Sequence, residues 1–438
     1  MTEYDLIVIG SGPGGYTTAA AAAAMGRRTM IVERDKLGGT CLNRGCIPTK
    51  ALCRSAEVAQ TVMHASEYGV DVTGVSLDYA RAARRKDEVV ESLREGVAFM
   101  LKDVAVVQGT ARFIEPSVIE VEGERYTAPQ IIVATGSKAA TLPIPGAELA
   151  VDSDYMLALQ ELPASVIIIG GGVIGLEFAS ILRAFSVEVT VMEYCDEVLP
   201  GFDADIAKRV RMALKRRGIS VITSAQVTSV APGYEVEYLC KGKIKKAGAA
   251  CVMMAVGRKP VIPDGLVELG VELIRGVIKV NDSMETSLPG VYAVGDVNGR
   301  CMLAHAATAQ GLSVLGVEQN IDVIPSAVFT TPECAMVGLT EQHCRDFDVP
   351  YKKGEAIYRS NGKAVAMGEP DGMVKVIIDP ATHLILGCHI CGAHASDIVQ
   401  EVAVAMSAGM QAEDIFTAVH SHPTLSELVH NAVSKALM

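Results

Sequence analysis

The stretch Leu6-Ile7-Val8-Ile9-Gly10-Ser11-Gly12-Pro13-Gly14-Gly15 decides the fold, because the chain repeats it at Val166-Ile167-Ile168-Ile169-Gly170-Gly171-Gly172-Val173-Ile174-Gly175. Each copy is an apolar strand-like run, a G-x-G-x-x-G turn, a helical stretch and a second strand ending in an acid. The acid is Glu33 in the first copy and Glu193 in the second, each 23 residues after the first glycine. That spacing has a physical reason. Gly10 and Gly170 permit a tight turn, Gly12 and Gly172 let the backbone approach a pyrophosphate, and Gly15 and Gly175 pack helix on strand. Free N–H groups at the helix start, around Gly171, Val173 and Ile174 in the second copy, hold phosphates. The acid accepts from ribose hydroxyls. Two such units predict an α/β chain that binds two dinucleotides.

Working outward, 438 residues are enough for roughly three units of ~150 residues and for a large core without metal or disulfide staples. Hydrophobic residues at 50% against 21% charged exclude disorder. A formal charge of −12 argues against a nucleic-acid partner, which needs a basic face. The small-residue run from Ala19 to Met25 is far short of a bilayer span, and Met1 to Asp5 carry no basic leader. Eleven cysteines, an odd number scattered over a long chain, do not form a secreted disulfide framework. A cytoplasmic protein is expected, free of membrane and nucleic acid.

The remaining stretches suggest four segments: 1–147, 148–264, 265–325 and 326–438. Val104 to Pro129 reads as a small antiparallel meander, followed by a strand at Ile131–Ala134 that ends in Thr135-Gly136. A similar strand, Cys251 to Val256, precedes Gly257-Arg258. Beyond Ser326 the pattern changes to antiparallel-looking strands at 374–378 and 384–390 and amphipathic helices at 396–408 and 426–436.

Between the first acid and the next helix lies Gly38-Gly39-Thr40-Cys41-Leu42-Asn43-Arg44-Gly45-Cys46-Ile47-Pro48-Thr49-Lys50. Taken alone, C-x4-C reads equally well as two buried thiols. Gly45 allows a turn, however, and Pro48 suits a first helical turn. Cys46 then lies at a helix N-terminus near Lys50, and both features favour the thiolate. Downstream of a dinucleotide unit, a redox-active pair is the better reading.

The segment from 38 to 50 resembles the active site of the pyridine nucleotide–disulfide oxidoreductases. Three other segments share the resemblance: Val133-Ala134-Thr135-Gly136, Gly290 to Asp296, and His420-Ser421-His422-Pro423-Thr424-Leu425-Ser426-Glu427. The resemblance implies two Rossmann-like domains, for FAD (1–147) and NAD (148–264). A central domain (265–325) would complete the flavin site, and an α+β domain (326–438) would form a homodimer. FAD would be held by the Gly10 to Glu33 unit, Lys50, Ala111, Thr135, Gly136, Asp296 and Ala304. The nicotinamide nucleotide would meet the Gly170 to Glu193 unit, Val227 and the turn through Gly257 and Arg258. Glu177 would pair with Lys50. Electrons would pass between a dithiol, a Cys41–Cys46 disulfide, FAD and the nicotinamide. His422 would serve as base, oriented by Glu427, in the partner's active site; His420 has the plain structural reading.

Glu193 suits a 2′-hydroxyl and repels a 2′-phosphate, and Tyr194-Cys195-Asp196 supplies no arginine, so NAD is expected rather than NADP. The His-x-His-Pro-Thr-Leu-Ser-Glu form favours a lipoyl dithiol on a 2-oxoacid dehydrogenase complex or the glycine cleavage system. The alternatives are another disulfide, such as coenzyme A disulfide, and a flavoprotein that binds nucleotides without turnover. Cys388-His389-Ile390-Cys391 invites a metal reading, but alternate strand residues face opposite sides and the segment reads as an apolar strand. Basic clusters at Arg81 to Lys86 and Lys208 to Arg217 read as solvated helix faces.

Overall fold

The structure, a computed structural model, describes residues 1–438. The first repeat folds as the strand Leu6–Ile9, the helix Pro13–Ala24 and the strand Thr29–Glu33. Both strands are buried throughout and pair in parallel, as expected of apolar runs covered on two faces. Ile131–Val133 and Val291–Ala293 extend the sheet on one side. Ala105–Gln108 extends it on the other. This last strand corrects the sequence reading, which began the meander at Val104. An edge strand of a parallel sheet is half exposed and alternates like a meander strand, so periodicity alone could not separate them. The meander itself starts at Ala111 and runs through Ala111–Glu115, Val118–Val121 and Glu124–Thr127.

The second repeat forms a four-stranded parallel sheet ordered Ser220–Ile222, Glu188–Met192, Ser165–Ile169, Cys251–Met254, with the helix Val173–Ala184 crossing between its central strands. An antiparallel three-stranded sheet follows. The segment 265–325 returns to the first unit. Its strand Val291–Ala293 enters the first sheet, and its helix Ala304–Val314 packs against Pro13–Ala24. Those helices approach so closely that a Cβ at Gly311 would lie 1.9 Å from Thr18 Oγ1.

Residues beyond Ser326 build an antiparallel five-stranded sheet, ordered Ser326–Val328, Cys334–Gly338, Ile385–Cys391, Met373–Ile378, Lys352–Ile357. Helices Ala395–Ser407 and Glu427–Leu437 supply buried residues to one face of this sheet. Cys388 joins that core, whereas Cys391 faces the core shared with the second dinucleotide unit. The two therefore point to opposite sides of their strand. No helix is long and apolar enough to cross a membrane.

The basic clusters are not simply solvated faces. Lys86 is 5% exposed and donates to the Leu157 carbonyl at 2.8 Å. On the helix Ala204–Arg216, Arg211 pairs with Glu197 at 2.6 Å and Arg216 with Asp371 at 2.9 Å. Arg217, next in the chain, donates to Gln60 at 2.6 Å. These cations join elements far apart in sequence.

A buried lysine ties the C-terminal sheet to the second dinucleotide unit. Lys375, 1% exposed, donates to Asp203 at 2.9 Å, to Asp205 at 2.5 Å and to Glu341 at 3.0 Å. Burial alone would raise the Glu341 carboxyl, but hydrogen bonds from Lys375 and Lys353 pull it down to about 2. Removing the cation leaves the buried Asp203 carboxylate without a counter-charge and takes one of its cations from Glu341, and breaking a buried pair of this kind costs about 3–5 kcal/mol. Lys375→Met is therefore expected to lower the unfolding free energy by about that amount in denaturant titrations at neutral pH. In the native chain, Glu341 stabilises the fold fully above its ordinary value of 4.5 and loses that effect as pH falls towards about 2. Thermal melts across that window should show the loss, and Lys375→Met should flatten it.

Candidate active site

The two glycine turns have one geometry. Gly10 has φ +100° and a Cβ there would lie 2.5 Å from the Ala134 carbonyl oxygen; Gly170 has φ +109° and 2.3 Å to that of Ala255. At Gly15 and Gly175 a Cβ would fall 1.9 Å and 2.1 Å from the oxygens of Gly10 and Gly170. By contrast, open space surrounds Gly12 and Gly172, where bare backbone meets the cavity. These are the approaches a pyrophosphate needs, and the residues fit two dinucleotides.

Both acids also clasp their own turns. Glu33 Oε2 accepts from the Ser11 N–H at 2.8 Å and from its hydroxyl at 2.6 Å, while Oε1 accepts from the Asp35 N–H at 2.8 Å. Glu193 Oε2 accepts from the Gly171 N–H at 2.6 Å, and Oε1 from the Cys195 N–H at 2.7 Å. Glu33 Oε1 and both oxygens of Glu193 each accept one such bond and keep a further lone pair for a ribose hydroxyl. The role of Ser11 was not singled out from sequence, although its place between two glycines of the turn marks it.

One continuous cavity of about 1470 Å³ runs past both turns. It is lined by Gly10, Gly12, Glu33, Ala111, Thr135, Gly136, Asp296 and Ala304 on the first side, and by Gly170, Gly172, Val173, Ile174, Glu193, Val227, Gly257 and Arg258 on the second. Cys41, Cys46, Lys50 and Glu177 line it where the two sides meet. Gly15, Gly171 and Gly175 do not reach it and serve the turn from within. Arg258 lines the cavity, but its guanidinium is engaged with residues of the first side. It donates from Nε to Ser137 Oγ at 2.7 Å and from Nη2 to the Ser137 carbonyl at 2.8 Å, and lies 3.9 Å from Asp296. The Ser137 hydroxyl donates to Asp296. The strands Arg258–Pro260 and Ser137–Ala139 pair antiparallel, which brings these residues together.

The cysteines sit at a helix junction. Cys41 lies on the short helix Gly39–Arg44, and Cys46 opens the helix Cys46–Met63. Gly45 breaks the two apart, and a Cβ there would lie 2.9 Å from the Thr40 carbonyl oxygen. Both thiols are free and hydrogen-bonded to each other. The bond from Cys41 lowers Cys46 to about 7; burial opposes this and Lys50, one turn on, assists. The same bond, with burial, pushes Cys41 well above the ordinary thiol range.

Lys50 Nζ donates to both oxygens of Glu177 at 2.9 Å and lies 4.6 Å from the Phe329 ring centroid. Glu177 is 3% exposed, and its Oε1 also accepts from the Phe329 N–H at 3.0 Å. Burial alone would lower the Lys50 ammonium, but Glu177 raises it. Phe329 went unnoticed in the sequence, since nothing local marks it.

His422 lies outside the cavity of its own chain and its side chain is 77% exposed. Its Nδ1 is 2.9 Å from Glu427 Oε1, while Glu427 Oε2 accepts from the Thr424 N–H at 2.9 Å. That backbone bond first, and His422 second, lower the Glu427 carboxyl. His420 is held between Glu401 at 2.8 Å and the Ala418 carbonyl at 3.0 Å, in keeping with its structural reading.

Comparison with known proteins agrees with this geometry. Residues 4–311 match the pyridine nucleotide-disulphide oxidoreductase family, and residues 324–433 match the dimerisation domain of that family. A dihydrolipoyl dehydrogenase of Bacillus subtilis is 37% identical over 469 residues, covering 99% of this chain and 98% of that protein. One from Mycoplasma pneumoniae is 37% identical over 454 residues, covering 99% of each. The solved structure of the HOCl-induced flavoprotein disulfide reductase RclA from Escherichia coli superposes with a TM-score of 0.86 at 28% identity, over 98% of this chain and 99% of that one.

The thiol environment has a direct readout. In the reduced protein, alkylation of Cys46 by iodoacetamide, followed by peptide mass spectrometry, should rise with pH through a midpoint of about 7. Cys41→Ala and Lys50→Met should each move that midpoint upward, because each removes a group that favours the thiolate. Unmoved midpoints in both variants would contradict the assignment.

Proposed function

This chain belongs to the pyridine nucleotide-disulphide oxidoreductase family, and we propose that it acts as an NAD-linked dihydrolipoamide dehydrogenase. The observation that carries this reading is the presence, in one chain, of Cys46 opening a helix beside Cys41 and Lys50, together with an exposed His422–Glu427 pair. A protein that only bound nucleotides would use neither. The full-length similarity to dihydrolipoyl dehydrogenases supports the choice of a lipoyl dithiol.

In the oxidised enzyme Cys41 and Cys46 form a disulfide. One substrate thiol gives its proton to His422 and attacks Cys41 as thiolate, opening the disulfide and releasing Cys46 as thiolate. The second substrate thiol then displaces Cys41, closing oxidised lipoamide and leaving the enzyme as a dithiol. Glu427 fixes the imidazole through Nδ1, which leaves Nε2 to take the proton. Cys46 is the better leaving thiol because its environment already favours the charged form. FAD supplies two-electron acceptance from the dithiol and donation to NAD when bound beside Cys46. Gly10, Gly12, Glu33, Ala111, Thr135, Gly136, Asp296 and Ala304 would hold it. The Gly170 to Gly175 turn, Glu193, Val227 and Gly257 would hold NAD, and the Lys50–Glu177 pair keeps a fixed charge arrangement between the two sites.

Because His422 stands outside its own cavity, it serves the cavity of a second copy, and the working unit is a homodimer formed through residues 326–438. The substrate arm comes from a lipoyl-bearing protein of a 2-oxoacid dehydrogenase complex or the glycine cleavage system, in the cytoplasm.

Anaerobic turnover of dihydrolipoamide with NAD, and with NADP in parallel, tests the reading. Rapid NADH formation with little NADPH is expected; no turnover in a flavin-loaded protein that NADH reduces would redirect the substrate to another disulfide. His422→Gln should slow dithiol oxidation by about 10²–10⁴-fold while stopped-flow reduction by NADH stays near the native rate. Equal losses in both half-reactions would remove His422 from the base role.

A further inference from the structure

We propose that Cys334 and Cys391 form a second oxidisable dithiol, separate from the Cys41–Cys46 centre, which closes to a cross-strand disulfide under a hydroperoxide-class oxidant. The two residues are direct partners in the antiparallel register of Cys334–Gly338 with Ile385–Cys391. The Gly392 N–H donates to the Glu333 carbonyl at 2.9 Å. Residues 333 and 392 are thus the hydrogen-bonded pair, and 334 and 391 the adjacent non-hydrogen-bonded one. In that position Cα atoms stand about 4.5 Å apart, with side chains on one face. Disulfides span Cα separations of roughly 4.4–6.8 Å, so strands in this register can be bridged with little movement.

The surroundings are consistent with such a pair. Both thiols are free and all but fully buried, and both face the core that also contains Leu52 and Leu176, beneath the helix opened by Cys46. Cys388, on the other side of the same strand, faces a different core and has no part in this register. Closing the bridge would fasten two neighbouring strands of the C-terminal sheet without reaching the cavity.

The step balances with one peroxide per pair. A thiolate attacks the O–O bond, giving a sulfenic acid and releasing hydroxide, which takes up the proton that the thiol gave up. The second thiol displaces the sulfenic oxygen as water, so two thiols and one hydrogen peroxide give one disulfide and two waters. Burial pushes Cys391 up to about 12 and Cys334 well above its ordinary value. Thiolate is scarce at both, so the pair oxidises far more slowly than Cys46 and stays silent during turnover.

The test uses the flavin-loaded wild-type protein, treated with hydrogen peroxide at neutral pH. Samples taken over hours are quenched, alkylated in denaturant and mapped by mass spectrometry, with native folding followed by near-ultraviolet circular dichroism. The expected result is early closure of Cys41–Cys46, then slow growth of a linked peptide pair containing Cys334 and Cys391 while the native signal persists. In Cys334→Ala, Cys391 should remain alkylatable and turnover should match wild type. The proposal fails if Cys334 and Cys391 stay fully alkylatable after Cys195 and Cys301 have been oxidised. It also fails if either bridges to another cysteine, or if the link grows only as the native signal is lost.

Discussion

The contact on which the arrangement depends is the ion pair between Lys50 and Glu177, with the Phe329 N–H as its third member. Lys50 belongs to the helix that begins with Cys46, Glu177 to the helix of the second glycine turn, and Phe329 to the start of the C-terminal unit. A carboxylate this deeply buried is tolerable only when paired and hydrogen-bonded. The three parts of the chain must therefore meet at one point, and that point lies beside the thiols. The charge that assists Cys41 in lowering Cys46 is thus held by the same contact that joins the domains.

Sequence alone disclosed what is local. Gly10, Gly15, Gly170 and Gly175 follow from the requirements of one tight turn, and Glu33 and Glu193 from the length of one strand–helix–strand unit. Cys41, Gly45 and Cys46 lie within a single hairpin of helices, so their chemistry was also legible. What escaped was non-local. Lys86, Lys375 and the arginines of the Ala204–Arg216 helix look like solvent-facing charges, because a charged residue in a helix or strand normally is one. Their partners Leu157, Asp203, Glu197 and Asp371 come from other elements, and no periodicity encodes that. Arg258 lines the cavity, but its partner, Ser137, comes from the opposite unit.

The cysteines show how far environment governs one side chain. Cys46, at the first position of a helix and near an ammonium, is acidified to about 7, while Cys53 on the same helix is pushed up to about 12 by burial and by Glu177. Those two residues are separated by seven positions and face the same side of the helix. Cys46 has the helix start and its neighbouring thiol beside it, whereas Cys53 is buried, donates to the Phe329 carbonyl and lies near Glu177, whose effect outweighs that of Lys50.

Glu193 carries two duties that cannot be separated by one substitution. It stands where a ribose edge would be read, and it fastens the loop by accepting the N–H groups of Gly171 and Cys195. A replacement without acceptor oxygens at this position would also leave the Gly171 and Cys195 N–H groups unheld. An evolutionary change of nucleotide would need a second residue to take over the clasp, so descent from a duplicated unit could redirect the ligand only through paired changes. The first unit is under the same restriction at Glu33, with Ser11 adding a further strand to the knot.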